Sequence, residues 1–271
     1  MKIVLFARGE GFHSYGHEMA FLEGLRRHGH SVEVCPVGTV PANVDLAILW
    51  GVRHKRLILN IREKGGDYLV LERGYIGDRQ KYISCGFNGL NGKANFMNKG
   101  LGDFRSKHFQ HLMQPFIKNR GNYIVIMGQM ENDASVKYIG FNNWLDDTFR
   151  QLKNITDRKI YYRPHPLSIN QHVTEGLEVI HGDLHHVIQK AHCVVTLNSN
   201  SGVDTILAGV PCVSMDRGSM IYDVTQHNIN AVIKPVFKDR QQWFNELAYC
   251  QWTDEEMASG AAWQHLKAFY E

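Results

Sequence analysis

Apolar residues in the first seventy positions fall mostly in short runs rather than in strict alternation. Lys2–Phe6, Val32–Pro36, Leu46–Trp50 and Tyr68–Leu71 are runs of strand length. Runs of this kind, bounded by Gly and polar residues, read as strands covered on both faces. Between them the spacing changes. Met19, Phe21, Leu22 and Leu25 recur at helical intervals up to Gly29, and Leu57–Ile61 belongs to a helix stopped by Gly65-Gly66. Strand and helix in turn, with short connections, predict a parallel sheet wrapped by helices.

The rhythm breaks over residues 74–105, a glycine-rich stretch without helical period that reads as one long loop, functional or mobile. A helix over Lys107–Lys118 and a boundary at Asn119-Arg120-Gly121-Asn122 precede a second series. Strands are predicted at Tyr123–Met127, Lys159–Arg163, Val179–His181, Cys193–Leu197 and Cys212–Met215. Helices are predicted at Trp144–Leu152, Asp183–Ala191 and Val203–Ala208, with Trp243–Tyr249 and Asp254–Phe269 closing the chain. The expectation is two α/β domains in tandem, 1–120 and 121–271, with a cleft between them. Ligands of such sheets lie beyond the carboxyl ends of the strands.

Composition changes this picture little. The 271 residues are 44% hydrophobic and 21% charged, as in ordinary globular chains. No stretch approaches the ~20 apolar residues of a membrane span, and the first apolar run is too short for a signal peptide. The five cysteines are scattered without CxxC spacing, which reads as small buried hydrophobes in a reducing cytoplasm, the host's if the protein is viral. His181, His185 and His186 cluster without the acidic partners or shared helix face of a metal site, so no metal is expected. Charge is more informative. Residues 1–120 hold 18 Lys and Arg against 10 Asp and Glu, and residues 121–271 hold 12 against 17. The first half either meets an anionic partner or simply carries a solvated basic surface.

Two motifs carry candidate chemistry. In "VVTLNSNSGVDTILAGVPCVSM", the polar cluster Asn198-Ser199-Asn200-Ser201-Gly202 lies between a strand and a helix. A helix start offers unpaired N–H groups and partial positive charge, the side chains add donors, and a glycine admits a phosphate to the backbone. The alternative is that Ser201 or Asn200 merely caps the helix. In "YYRPHP", prolines hold the chain extended past a strand, so that Arg163 and His165 project from its carboxyl end, toward a phosphate or simply into solvent.

Together with "GSMIYDV" (218–224), these motifs resemble the nucleotide-binding half of GT-B glycosyltransferases over roughly residues 120–225, most nearly those of the capsular-polysaccharide and teichoic-acid type. The resemblance implies two Rossmann-like domains facing each other across a cleft, and a nucleotide-diphosphate sugar as co-substrate. It implies donor contacts from Arg163, His165, Asn198, Ser199, Asn200, Ser201 and Gly202, with Tyr222 and Asp223 at the sugar or ribose. The chain lacks a D-x-D motif, in keeping with a metal-independent member that requires no cofactor.

The first half would then bind the acceptor. Gly9-x-Gly11 is followed by Gly16, out of register for a dinucleotide fingerprint, and no acid follows the second strand, so a nicotinamide site is rejected. Glu10, His13 and His17 stand as candidates for acid/base or acceptor contacts, or as plain loop residues. In "YLVLERGYIGDR", Glu72 closes a strand and is the first candidate for the base that takes the acceptor's proton, with Asp78 second. Glu72 could equally pair with Arg73 or Arg79. The acid–Arg strand end is also similar to phage DNA glucosyltransferases. Arg79, Lys81, Lys93, Lys99 and Arg105 interleave with Tyr75, Tyr82, Phe87, Phe96 and Phe104, a pattern that suits phosphates and bases. The favoured acceptor is therefore a hydroxymethylated pyrimidine in double-stranded phage DNA. A capsular or teichoic-acid-like polymer, an epimerase acting on the nucleotide sugar, and a non-catalytic binding module are the alternatives.

Overall fold

The computed structural model describes residues 1–39, 43–118, 121–168, 172 and 174–271. Its elements run β1 (Ile3–Ala7), α1 (Tyr15–Arg27), β2 (Val32–Pro36), β3 (Leu46–Trp50), α2 (Lys55–Glu63), β4 (Asp67–Arg73) and β5 (Ile83–Phe87). They continue with β6 (Tyr123–Met127), α3 (Phe141–Ile155), β7 (Lys159–Arg163), β8 (Glu178–Val179), α4 (Leu184–Gln189), β9 (Ala191–Thr196), α5 (Ser201–Leu207) and β10 (Cys212–Ser214). The last are α6 (Gln241–Ala248), β11 (Gln251–Trp252), α7 (Asp254–Ala258) and α8 (Ala261–Leu266). No helix among the described residues is long and apolar enough to cross a membrane, and all five cysteines are free and buried.

The chain divides into two units, Met1–Lys107 with Phe244–Glu271, and His108–Trp243. This differs from the split expected at 120/121, whose Asn119-Arg120 lies outside the described residues. The closing segment belongs to the first unit, because β11 pairs with β5 and the last helices pack on the first sheet. The helix expected at Lys107–Lys118 is a short 3-10 segment, Ser106–Leu112.

The first unit's sheet has the order β11-β5-β4-β3-β1-β2. β2, β1, β3 and β4 are parallel, and β5 and β11 each run antiparallel to their neighbour. Every residue of β1 and β3 is buried. One set of their side chains (Ile3, Leu5, Leu46, Ile48) meets Phe21 and Leu25 of α1 and Trp263 and Leu266 of α8. The other set (Val4, Phe6, Ala47, Leu49) meets Leu57 and Ile61 of α2. Covering on both faces explains the unbroken apolar runs.

Residues 74–105 are therefore not a long loop. They contain β5, wholly buried, and Tyr75, Ile76 and Phe96 belong to the core. Gly86, which reads as a loop residue, sits where a Cβ would lie 2.6 Å from the Phe96 ring. α7 begins with a capping box, in which the Thr253 side chain accepts from the Glu256 amide and the Glu256 side chain accepts from the Thr253 amide. Thr253→Ala is expected to cost about 1 kcal/mol, measurable as a shift in the urea midpoint at unchanged m-value.

The second unit holds a wholly parallel sheet, β10-β9-β6-β7-β8. Counted from β6, the spatial order is 3-2-1-4-5, that of the Rossmann half-fold, and it reverses between β6 and β9. Ile124, Ile126, Cys193 and Val195 of the central strands pack with Leu145 and Leu152 of α3. The order of each sheet fixes where a crevice opens: beyond the carboxyl ends of β6 and β9 in the second unit, and of β1 and β3 in the first.

Candidate functional site

The chain leaves β6 through Gly128-Gln129 and β9 through Asn198–Gly202, so the predicted polar cluster stands at the switch point of the second sheet. Gly128 must be glycine. Its amide donates to the Arg163 carbonyl at 2.7 Å, and a Cβ would lie 2.7–2.8 Å from the Tyr162 hydroxyl, the Arg163 carbonyl and the His165 amide. The Arg163–His165 stretch thus runs directly beside the end of β6.

Asn198 is a clamp. Its side-chain oxygen accepts from Gln129 Nε2 at 2.7 Å, its amide nitrogen donates to Asp216 Oδ2 at 2.7 Å and to the Ser135 carbonyl at 3.1 Å, and its backbone N–H donates to Gln129 Oε1. At 4% exposure the side chain holds the ends of β6, β9 and β10 together and is not turned toward a ligand. Gly202 has more than its expected role. A Cβ there would meet Ile221 Cδ1 at 2.6 Å, so close packing gives the glycine a second reason. The amides of Ser201, Gly202 and Val203 are bonded within the turn, to Ser199 Oγ, the Ser199 carbonyl and the Asn200 carbonyl. The half-buried hydroxyls of Ser199 and Ser201, 2.8 Å apart, stand at the mouth of the turn. Asn200, at the N-cap, makes no side-chain capping bond.

Two N–H groups at the end of β7 lack a partner among the described residues. Arg163 is half-buried and donates from Nη2 to the Gly182 carbonyl at 3.1 Å, while its buried Nε–H has no acceptor. His165 Nδ1 accepts from the Leu167 amide at 3.2 Å, which places the proton of the neutral ring on Nε2. Burial pushes the His165 pKa down, the Arg163 charge adds to this, and the Asp133 charge opposes it. The neutral ring therefore offers Nε2–H as a donor at neutral pH. From β7 to β9 is two strand spacings, roughly 10 Å, so Arg163 and His165 flank one side of the switch point and Ser199 and Ser201 the other. Tyr222 lies in the turn after β10, stacked on His227 with ring centroids 3.5 Å apart and with the Arg217 guanidinium 6.0 Å from its ring centroid. Asp223 is exposed beside it.

In the first unit the crevice gathers around Trp50, the last residue of β3, 4% exposed. His17 stacks on the indole at 5.6 Å and His13 meets its edge at 5.3 Å, while the Arg73 guanidinium lies 5.9 Å from it. Burial, helped by the charges of Arg73, Arg8 and His17, lowers the His13 pKa. His17 Nδ1 is 2.7 Å from Asp254 Oδ1 on α7. Glu18 is wholly buried; Oε2 accepts from the Arg8 amide, and Oε1 has no partner among the described residues. Burial raises its pKa. Glu72 lies at the same end of the sheet, its Oε1 accepting from the Arg73 amide at 3.0 Å and its Oε2 close against Gly51. Glu10 is exposed on the preceding loop, and Asp78 shapes the β4–β5 turn, accepting the Gln80 amide.

Of the basic residues expected to contact an acceptor, Arg105 and Lys99 are engaged by carboxylates of the same unit. Arg105 pairs with both oxygens of Glu256 at 2.6 and 3.0 Å, donates to the carbonyls of Ala248 and Gln251, and lies 3.9 Å over Trp252. It is a structural residue. Lys99 pairs with Glu246 at 3.1 Å. Lys81 leans over Tyr82, and Arg79 and Lys93 lie elsewhere in the segment. Tyr75, Phe87 and Phe96 are buried and cannot stack on bases. The sequence reading missed Gln129, Asp216, Trp50 and Asp254, which only the fold brings to these places. No group of three or more metal-ligating side chains forms among the described residues.

No protein-family model and no curated protein matches the chain. Solved structures share its fold, two of them along nearly all of the chain. The Thermosulfurimonas dismutans KpsC structure described as a beta Kdo 2,7 transferase is 16% identical over 100% of both chains, with a TM-score of 0.62. The one described as a beta Kdo 2,4 transferase, from the same organism, is 14% identical over 92% of this chain and 90% of that one, with a TM-score of 0.59. The paired Rossmann-like units are thus a fold shared with glycosyltransferases of the GT-B class along the whole chain.

Proposed function

We propose that the protein is a metal-independent glycosyltransferase that moves a sugar from a nucleotide sugar to a hydroxyl of a saccharide polymer. The second unit takes the nucleotide's phosphate. The observation that carries this reading is the pair of unmet N–H donors, Arg163 Nε and His165 Nε2, at the switch point faced by the hydroxyls of Ser199 and Ser201. A group of three or four anionic oxygens satisfies such donors, and an apolar ligand does not. Asn200, Tyr222 and Asp223 extend the same rim toward the ribose and sugar.

A saccharide acceptor fits the first unit better than DNA. Its sheet end gathers imidazoles and carboxylates around the buried indole of Trp50, while Arg105, Lys99 and three of the aromatics that favoured a polyanion are engaged by Glu256, Glu246 and the core. The two structures of shared fold are described as beta Kdo 2,4 and beta Kdo 2,7 transferases. The test is calorimetric binding of nucleoside mono- and diphosphate sugars, followed by nucleotide release with and without oligosaccharide acceptors. Binding with acceptor-stimulated release is expected. Conversion of the donor without an acceptor would favour an epimerase, and binding without turnover a non-catalytic module. Failure to bind any nucleotide sugar would sink the proposal.

A further inference from the structure

We propose that the first unit holds an anion seat, built from Arg8, His54 and the basic start of α2, that takes an acid group, carboxylate or phosphate, of the acceptor saccharide. Its assignment to the acceptor rests on the transferase reading above. The seat itself is a property of the first unit alone.

Placement gathers the cations. Phe6 of β1 pairs with Leu49 of β3, so Arg8, two residues on, stands level with Gly51, just before Arg53 and His54. The Arg8 amide is pinned to Glu18 Oε2 at 3.2 Å, while its half-buried guanidinium has no hydrogen bond or ion pair among the described residues. A Cβ at Gly9 would meet nothing within 4 Å, so the space beside Arg8 is open. His54 is half-buried too, and its ring makes no hydrogen bond among the described residues. Burial, helped by the Arg8 charge, lowers its pKa. The charges that reach His13 are likewise all positive, from Arg73, Arg8 and His17. Arg73 closes β4, two strand spacings from β1, roughly 10 Å.

The sequence Arg53-His54-Lys55-Arg56 sharpens the conflict. A helix start carries partial positive charge and favours acids in its first turn. α2 does the reverse: its first turn holds no acid, no side chain caps it, and basic residues stand there instead. The nearby carboxyls offset this charge poorly. Glu18 is wholly buried, and burial raises its pKa. Glu72 accepts the Arg73 amide, and Glu10 is exposed without an ion pair among the described residues. Cations held together in this way repel one another in the free protein, and an anion relieves them on arrival. A merely solvated basic surface would extend all its side chains into water, as Arg53 and Arg56 do, and would not half-bury Arg8 within reach of His54.

Discrete acid groups suit the seat better than a nucleic acid duplex. The strand ends that carry these cations span roughly 10 Å, whereas a duplex presents one charge per about 1.7 Å of its length and rewards an extended track. Tyr75, Phe87 and Phe96, which would have stacked on bases, are buried.

The experiment follows the His54 and His13 imidazoles by NMR in the full-length protein while inorganic phosphate and, separately, glucuronate are added at constant ionic strength. His54 reports on the first unit, so phosphate bound at Arg163 does not register. Saturable shifts are expected, and the His54 pKa should rise, because a bound negative charge favours the imidazolium. Arg8→Gln should weaken binding roughly tenfold or more. Replacing Arg53 and Arg56 together by Gln should also weaken it, with a melting temperature no lower than wild type, since cations at a helix start oppose its dipole. Kinetics identify the source of the acid group. With a nucleotide sugar and an acidic acceptor that the wild type uses, esterifying the acceptor's acid groups should raise KM roughly tenfold or more in the wild type, but by less than about twofold in Arg8→Gln. Absence of a saturable His54 response, or full affinity in Arg8→Gln, overturns the seat. Turnover of neutral acceptors alone, an unchanged KM after esterification, or tighter binding of duplex DNA than of the acidic acceptor overturns its assignment to a saccharide. Absence of transfer and of nucleotide-sugar binding overturns the transferase reading and that assignment with it, while the anion titration still decides the seat.

Discussion

Arg163→Ala is expected to weaken nucleotide-sugar binding roughly 10- to 100-fold, because a hydrogen bond to a charged group contributes about 1.5–3 kcal/mol. Among the described residues its guanidinium makes one hydrogen bond, to the Gly182 carbonyl, and leaves Nε–H unmet in a buried position. Such a group costs stability in the free protein and gains only when an acceptor arrives. The alanine variant should therefore fold at least nearly as well as the wild type while losing affinity. Arg163→Lys should not restore binding, because an ammonium cannot place an N–H at the Nε position. Calorimetry with the nucleotide sugar checks both variants, and wild-type affinity in Arg163→Ala would remove the second unit's switch point from donor binding.

Arg105→Ala should act in the opposite sense, on stability and not on affinity. Its guanidinium, 12% exposed, satisfies Glu256, two carbonyls and the face of Trp252 at once. Removing one partner of a mostly buried pair typically costs about 3–5 kcal/mol, since the remaining carboxylate is left uncompensated. Glu256 also closes the capping box of α7, so the loss should spread to the helix that carries Asp254. Lys99 offers the contrast: its ammonium is 75% exposed, and Lys99→Ala should cost well under 1 kcal/mol. Urea denaturation of both variants distinguishes them. An unchanged midpoint in Arg105→Ala would show that the cation is dispensable for folding and return it to the pool of acceptor-binding candidates.

The parallel sheets were legible because their central strands are buried on both faces and so appear as unbroken apolar runs, Ile3–Phe6 and Leu46–Trp50 most clearly. Glu72 and Asn198 were likewise placed at strand ends by sequence alone. β5 escaped because its five residues include Cys85 and Gly86, and the glycine is demanded by a side chain ten residues away, Phe96, not by a turn. Charge patterning misled for a related reason: Arg105 looks like its exposed neighbours in sequence, and only Glu256, far along the chain, distinguishes it. The pairing of His17 with Asp254 spans 237 positions and leaves no local signal at all. Asn198 shows the subtler limit, since the sequence marked the right place but not whether the amide would face the ligand or hold the scaffold.

The return of Phe244–Glu271 to the first unit reverses the usual order of birth. Domains generally fold as they leave the ribosome, earlier ones first. Here the first sheet waits for its edge strand β11 and for the helices that cover its core, while residues 108–243 form one uninterrupted segment with all they need. Residues 108–243 are thus equipped to mature before the sheet that precedes them, and His17 acquires its carboxylate only after 237 further residues have been added.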